Sequence, residues 1–156
     1  MTLTLTGRLD LLFAIYPEFY LPQAVFNELG VHLEKYTPKP DDIMKILQPH
    51  VLPIEHHEWL TDYKDELGPG EKECLILARE TGISNLLTDD LAARKYAEST
   101  GIKCFGSLAI FIKAKQLGLI EALGPYFLTL SQSDRFFHSG LLNQILLNSG
   151  ETPLEI

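Results

Sequence analysis

The sequence predicts an α/β fold, with a mainly parallel sheet covered by helices on both faces. Three observations carry that expectation. Between residues 8 and 118, apolar stretches at helical spacing alternate with short strand-like runs, the order produced by parallel strands joined through crossover helices. Gly82 and Gly101 fall where two of the helical stretches should stop. A length of 156 residues, 46% of them hydrophobic, is enough to build the core of one domain spanning residues 1–156.

Taken in order, Leu9, Leu12, Phe13 and Tyr16 in GRLDLLFAIY lie at helical spacing, and Phe19-Tyr20-Leu21, closed by Pro22, reads as a strand. Pro22 opens the helix PQAVFNEL, with Gly30 just past its end. Asp41 and Asp42 favour the start of a helix striped with Ile43, Ile46 and Leu47, and HVLPIE follows as a strand-like run. EHHEWLTDYKDELGPG is polar and predicts a short helix with a glycine-rich exit. Cys74, Leu75, Leu77 and Ala78 share one face of the helix GEKECLILARETG. Residues 84–88 form the next strand, DLAARKYAESTG the next helix and KCF a short strand. GSLAIFIKAKQLG is a helix whose apolar side (Leu108, Phe111, Ile112) faces away from its lysines. EALGPYFLTL and HSGLLNQILLNSGE add two helical pieces, and MTLTLT at the start alternates like a strand.

No run approaches the roughly 20 apolar residues that cross a bilayer, and the first residues lack the basic start and apolar core of a secretion signal. A soluble cytoplasmic protein without a membrane partner is expected. Cys74 and Cys104 lack CxxC or Cys-His spacing, so they read as reduced, buried thiols. A net charge of −8 argues against broad electrostatic affinity for nucleic acid, although carboxylates that hold metal ions would add to that count. His56 and His57 are adjacent, point about 100° apart on a helix, and read as surface residues rather than a metal site. Ser107 lacks a nucleophile elbow, and Gly68-Pro69-Gly70 lacks the Gly-Lys-Ser/Thr ending of a phosphate loop. The stripe Leu141, Leu142, Ile145, Leu146 reads as core or as a dimer surface.

In an open parallel sheet, ligands bind at the carboxyl ends of the strands. Asp89 and Asp90 follow the strand ending in Leu86-Leu87, Glu71 opens the helix after Gly68-Pro69-Gly70, and Glu28 lies in the helix after Phe19-Tyr20-Leu21. Such a rim of carboxylate oxygens suits Mg²⁺ or Mn²⁺, which could polarise a phosphate and activate water. Each acid also has a structural reading. Asp90 is a good N-cap, Glu71 complements a helix dipole, and Glu28 could be a solvated residue at a helix end.

The segments GEKECLILARETG, LLTDDLAARKYAESTGIK and GSLAIFIKAKQLGLI, with GRLDLL and YLPQAVFNEL upstream and a leucine-rich segment ending in GE, resemble the PIN domain family, in its small prokaryotic, toxin-type branch. The resemblance covers nearly the whole chain. It implies a three-layer α/β/α fold and a metal-dependent ribonuclease that hydrolyses RNA phosphodiesters, often as the toxin of a toxin–antitoxin pair with a small antitoxin protein as partner. It also implies that Glu28, Glu71, Asp89 and Asp90 are catalytic and bind Mg²⁺ or Mn²⁺. Thr88, Lys72 and Arg94 become candidates for substrate phosphate, Arg94 otherwise lying on a solvated helix face.

The chain departs from the family pattern at one point. The family's first acid lies in an N-terminal strand ahead of GRLDLL, whereas MTLTLT carries no carboxylate and Asp10 belongs to GRLDLL itself. Either the natural product begins further upstream or the strand has been lost. An incomplete acid set should weaken metal binding, and a missing central strand should leave an edge that a second copy covers. The expectations are therefore a homo-oligomer, and as an alternative to the nuclease a catalytically impaired interaction or regulatory module.

Overall fold

Gly7 decides the first element. Thr2–Leu5 is a helix, α1, and not the strand its alternation suggested. Gly7 adopts φ 65°, which lets its N–H reach Thr4 O at 3.1 Å and the Arg8 N–H reach Leu3 O at 2.8 Å. That double closure is a Schellman ending, which a Cβ would disfavour at this φ. The Thr6 hydroxyl donates to Leu3 O, so the threonines serve a helix end instead of a pleat.

The computed structural model describes residues 2–36, 39–133 and 137–155. After α1 come α2 (Asp10–Ile15), α3 (Gln23–Tyr36), α4 (Pro40–Leu47), a 3₁₀ turn (Gln48–His50), a 3₁₀ helix (His57–Asp62), α5 (Pro69–Thr81), β1 (Asn85–Leu87), α6 (Leu91–Ser99), β2 (Lys103–Phe105), α7 (Ser107–Gln116), α8 (Gly124–Ser131) and α9 (Ser139–Asn148). The fold is α/β, and its sheet among the described residues is small. β1 and β2 run parallel with Leu86 opposite Cys104, and a single parallel bridge joins Leu21 to Val51. The strands predicted at Phe19-Tyr20-Leu21 and HVLPIE each shrink to one bridging residue. The chain divides into two compact units, residues 18–106 and residues 1–17 with 107–156.

In the unit of residues 18–106, α5 supplies the centre. Leu75, Ile76, Leu77 and Ala78 are buried, and Leu86 of β1 with Ala93 and Ala97 of α6 complete the packing around Leu75 and Ile76. The alanines sit one turn apart on α6, so a smooth helix face lies close to the core. Helix α3 runs on through Gly30 where a stop was expected. A Cβ on Gly30 would stand 3.2 Å from Met44 Cε, so the glycine gives α4 its close approach. Ile46, predicted on the apolar stripe of α4, is exposed.

In the other unit, Phe111 on α7 and Phe127 on α8 are fully buried, their rings meeting edge-on with centroids 6.3 Å apart. Leu142 and Leu146 of α9 are also buried, while Leu141 of the same predicted stripe is exposed. Arg8 and Asp10, from GRLDLL, form an ion pair at 2.9 Å, and the Arg8 guanidinium also donates to the Tyr126 hydroxyl. Asp10 is thus part of a structural knot. Lys115 does not lie on an outer lysine face; its Nζ donates to Glu151 Oε1 at 2.6 Å and to Ser149 O at 2.7 Å.

Candidate functional site

The ends of β1 and β2 gather one group of the acids. The Thr88 N–H donates to Phe105 O at 3.0 Å and extends the ladder past Leu87. Asp90 then turns into α6 as its N-cap, with Oδ1 accepting the Ala93 N–H at 2.7 Å. The Asp90 N–H donates to the Thr88 hydroxyl at 3.1 Å, which pins the turn between strand and helix. One turn into α6, half-buried Arg94 reaches back and donates from Nη2 to Thr88 O at 3.3 Å.

Asp89 and Arg94 converge over Gly106. A Cβ there would stand 3.0 Å from Asp89 Oδ1 and 3.3 Å from Arg94 Nη2. The bare glycine leaves room for both charged ends. Adjacent carboxylates therefore have different surroundings, Asp90 capping the dipole of α6 and Asp89 lying over Gly106.

The second group lies around the first turns of α3 and α5. Glu28 of α3, exposed, accepts the Gly70 N–H on Oε1 at 3.1 Å. Glu73 of α5, half-buried, accepts the Ala24 N–H of α3 on Oε2 at 2.8 Å. Glu71 folds its carboxylate back against Gly68, the N-cap residue of its own helix. Between them sits Cys74, whose thiol is pushed up to about 12 by desolvation and, after that, by Glu71, Glu28 and Glu73. The bare Gly70 leaves the space that the Glu28 carboxylate fills, since a Cβ would stand 2.8 Å from Glu28 Oε2 and push that side chain aside.

Glu28 and Glu71 are thus brought to one helix start, and Thr88, Asp89, Asp90 and Arg94 to one strand end. Lys72 turns toward Asp65, its Nζ 3.9 Å from Oδ1. Hard carboxylate oxygens suit Mg²⁺ or Mn²⁺, but among the described residues no three His, Cys, Asp or Glu side chains lie close enough together to hold a metal ion. The acids as placed do not fit a complete divalent site. His56, adjacent to His57, pairs with Glu58 at 2.8 Å and stacks on Trp59, as a surface segment would.

Two residues of these groups carry no signal in the sequence. Glu73 follows Glu71 at a spacing that puts it on another side of α5, and only the proximity of α3 gives it a partner. Gly106 looks like an ordinary strand-to-helix glycine until the side chains of Asp89 and Arg94 are placed over it.

No helix among the described residues is long and apolar enough to cross a membrane. No curated protein and no solved structure matches the chain. A family model described as a PIN domain does match, over residues 1–151, taking in every acid placed above and reaching into both compact units, and the chain belongs to that family.

Proposed function

We propose that this chain is a PIN-type ribonuclease, hydrolysing RNA phosphodiesters in the cytoplasm as the toxin of a toxin–antitoxin pair. PIN domains carry nuclease-type activity and generally depend on divalent metal. The observation that supports the reading in this chain is the meeting of Asp89 and Arg94 over Gly106 at the end of a parallel strand. Open α/β sheets take their ligands at that end.

Arg94 supplies a guanidinium that can pair with a phosphate through two parallel hydrogen bonds, and the Thr88 hydroxyl has a proton to donate beside it. The bond to Thr88 O fixes the direction of that guanidinium, and Asp89 lies on the same side of Gly106. Lys72, held near Asp65, is a further cation for the RNA backbone. A bound divalent ion would supply charge neutralisation and an activated water. We carry the single domain, the homo-oligomer and the small antitoxin as parts of the same proposal.

The test is cleavage of a labelled RNA with and without millimolar Mg²⁺ or Mn²⁺. Metal-dependent cleavage that Asp89→Asn abolishes, with the circular dichroism spectrum unchanged, supports the reading. Absence of cleavage under every metal condition overturns it.

A second reading is a PIN-like interaction or regulatory module without catalysis. It is favoured by one observation, that Glu28, Glu73 and Asp90 each already accept a helix N–H. It requires that millimolar Mn²⁺ leave the melting temperature unmoved and that RNA stay intact.

A further inference from the structure

Helices α3 and α5 pack against each other along their lengths. Each opens with a second-position N–H that no carbonyl of its own helix can accept, Ala24 in α3 and Gly70 in α5. Each also carries a carboxylate about one turn further on. Glu73 of α5 takes the Ala24 N–H and Glu28 of α3 takes the Gly70 N–H. The exchange is reciprocal, and it makes each helix start depend on the other.

The surroundings fit that arrangement. Glycine at 70 leaves the space a carboxylate fills, and Glu71 is folded back on Gly68. Burial first, and after it the charges of Glu71, Glu28 and Glu73, push the Cys74 thiol up, so the negative charge of all three is felt at that side chain. Such crowding needs compensation. Two helix N-termini side by side offer a partial positive charge each, close to half an elementary charge apiece.

We infer that Glu28 and Glu73 are a two-way clasp between α3 and α5, and that the negative charge collected there is balanced by the two helix N-termini instead of by a bound cation. Glu28 then acts on the site by holding the first turn of α5, which carries Glu71. This inference is independent of the nuclease reading. It takes from Glu28 the metal-ligand role that the family resemblance implied and adds Glu73, which that resemblance did not name.

Amide NMR with thermal melting tests it. In the wild type, the amide protons of Gly70 and Ala24 should both exchange slowly, as hydrogen-bonded amides do. Glu28→Gln keeps an acceptor oxygen and should retain slow exchange at Gly70. Glu28→Leu should speed Gly70 exchange about fivefold and lower Tm by about 3 °C, and Glu73→Leu should do the same at Ala24. Melting in millimolar Mn²⁺ separates a clasp from a ligand. A Mn²⁺ stabilisation that survives in Glu28→Gln supports the clasp, and so does a wild type that Mn²⁺ does not stabilise, an outcome that counts against the nuclease reading alone. A Mn²⁺ stabilisation lost in Glu28→Gln overturns the clasp. Unchanged exchange at Gly70 in Glu28→Leu does the same. If that variant does not fold, Glu28→Gln decides: slow exchange kept at Gly70 supports the clasp, and fast exchange there overturns it.

Discussion

Lys115 and Glu151, at the end of α7 and just past α9, form a 2.6 Å ion pair that also closes the start of α8. Glu151 accepts the Leu123 N–H at 2.7 Å and the Gly124 N–H at 2.9 Å, and Lys115 donates as well to Ser149 O. Gly150 makes this possible. At φ 74° it ends α9 and sends the Glu151 N–H to Leu146 O, which aims the carboxylate inward. The GSLAIFIKAKQLGLI and terminal GE segments that carried the family resemblance therefore meet in space as a structural lock on three helices.

The lock should show in the pH dependence of stability. Desolvation pushes the Glu151 carboxyl up, but hydrogen bonds from Lys115, Leu123 and Gly124 outweigh it, and its pKa lies below the ordinary 4.5. A lowered folded pKa means that the stabilisation is fully present above about 4.5 and is lost as the pH falls through the lowered value. Lys115→Met should cost about 2 kcal/mol at pH 7, or about 4–8 °C in Tm, because Glu151 is only 15% exposed and would lose its counter-charge. Urea unfolding at pH 7 and at about pH 3 checks both points. Glu151→Gln should flatten the acid limb, and an unchanged limb would remove Glu151 from this role.

Gly106→Ala probes the meeting of Asp89 and Arg94 without touching either. The new methyl group would stand 3.0 Å from a carboxylate oxygen and 3.3 Å from a guanidinium nitrogen, so one of the two must move. Both side chains are flexible at their tips. The cost to folding should stay near about 1 kcal/mol. RNA binding or cleavage should fall by tenfold or more, which corresponds to about 1.4 kcal/mol of lost contact. Equal losses in stability and in function would assign Gly106 to packing alone.

Helices α5 and α6 are legible in the sequence because their boundaries are local: Pro69 and Gly82 bound the one, Asp90 and Gly101 the other. Sequence and structure part where a distant residue decides. Nothing near Gly30 announces that Met44 will pack on it, so α3 runs past the end its own residues suggest. Lys115 looks outward until Glu151, 36 positions later, turns it inward. Asp90 as a cap can be read from its own neighbours, whereas the Glu28 bond to Gly70 spans 42 positions and has no local signature. The sequence overstates the sheet for the opposite reason. Phe19-Tyr20-Leu21 and HVLPIE have local strand character, but only Leu21 and Val51 bridge.

Asp89 and Asp90 should separate cleanly on substitution. Asp90 holds the Ala93 N–H and starts α6, so Asp90→Ala should lose about 1 kcal/mol and Asp90→Asn only a few tenths. Asp89→Asn leaves that cap in place and should change stability little, while removing the negative charge that lies over Gly106. Chemical denaturation of the three variants, with RNA binding measured in parallel, gives the comparison. If Asp89→Asn were the most destabilised, the site reading of Asp89 would give way to a structural one.

Cys74 offers a test of how tightly the glutamates crowd the α3–α5 start. Its thiol stands at about 12 where the ordinary value is 9.0, chiefly through desolvation and secondarily through Glu71, Glu28 and Glu73. Reaction with a disulfide reagent goes through the thiolate, so at about pH 8 Cys74 should react about a thousandfold more slowly in the folded chain than after unfolding. Cys104, whose thiol is raised by burial and then by Glu98, is the internal comparison. The same shift predicts an alkaline limb. A folded pKa above the unfolded one means that the Cys74 contribution is intact below about 9 and erodes as the pH rises toward about 12. Cys74→Ser removes the titrating thiol and should flatten that limb. Glu73→Gln, by taking away one neighbouring negative charge, should raise the folded-state reactivity of Cys74. Fast labelling of Cys74 in the folded wild type would mean that the thiol is neither desolvated nor crowded, and the shared negative region around it would have to be abandoned.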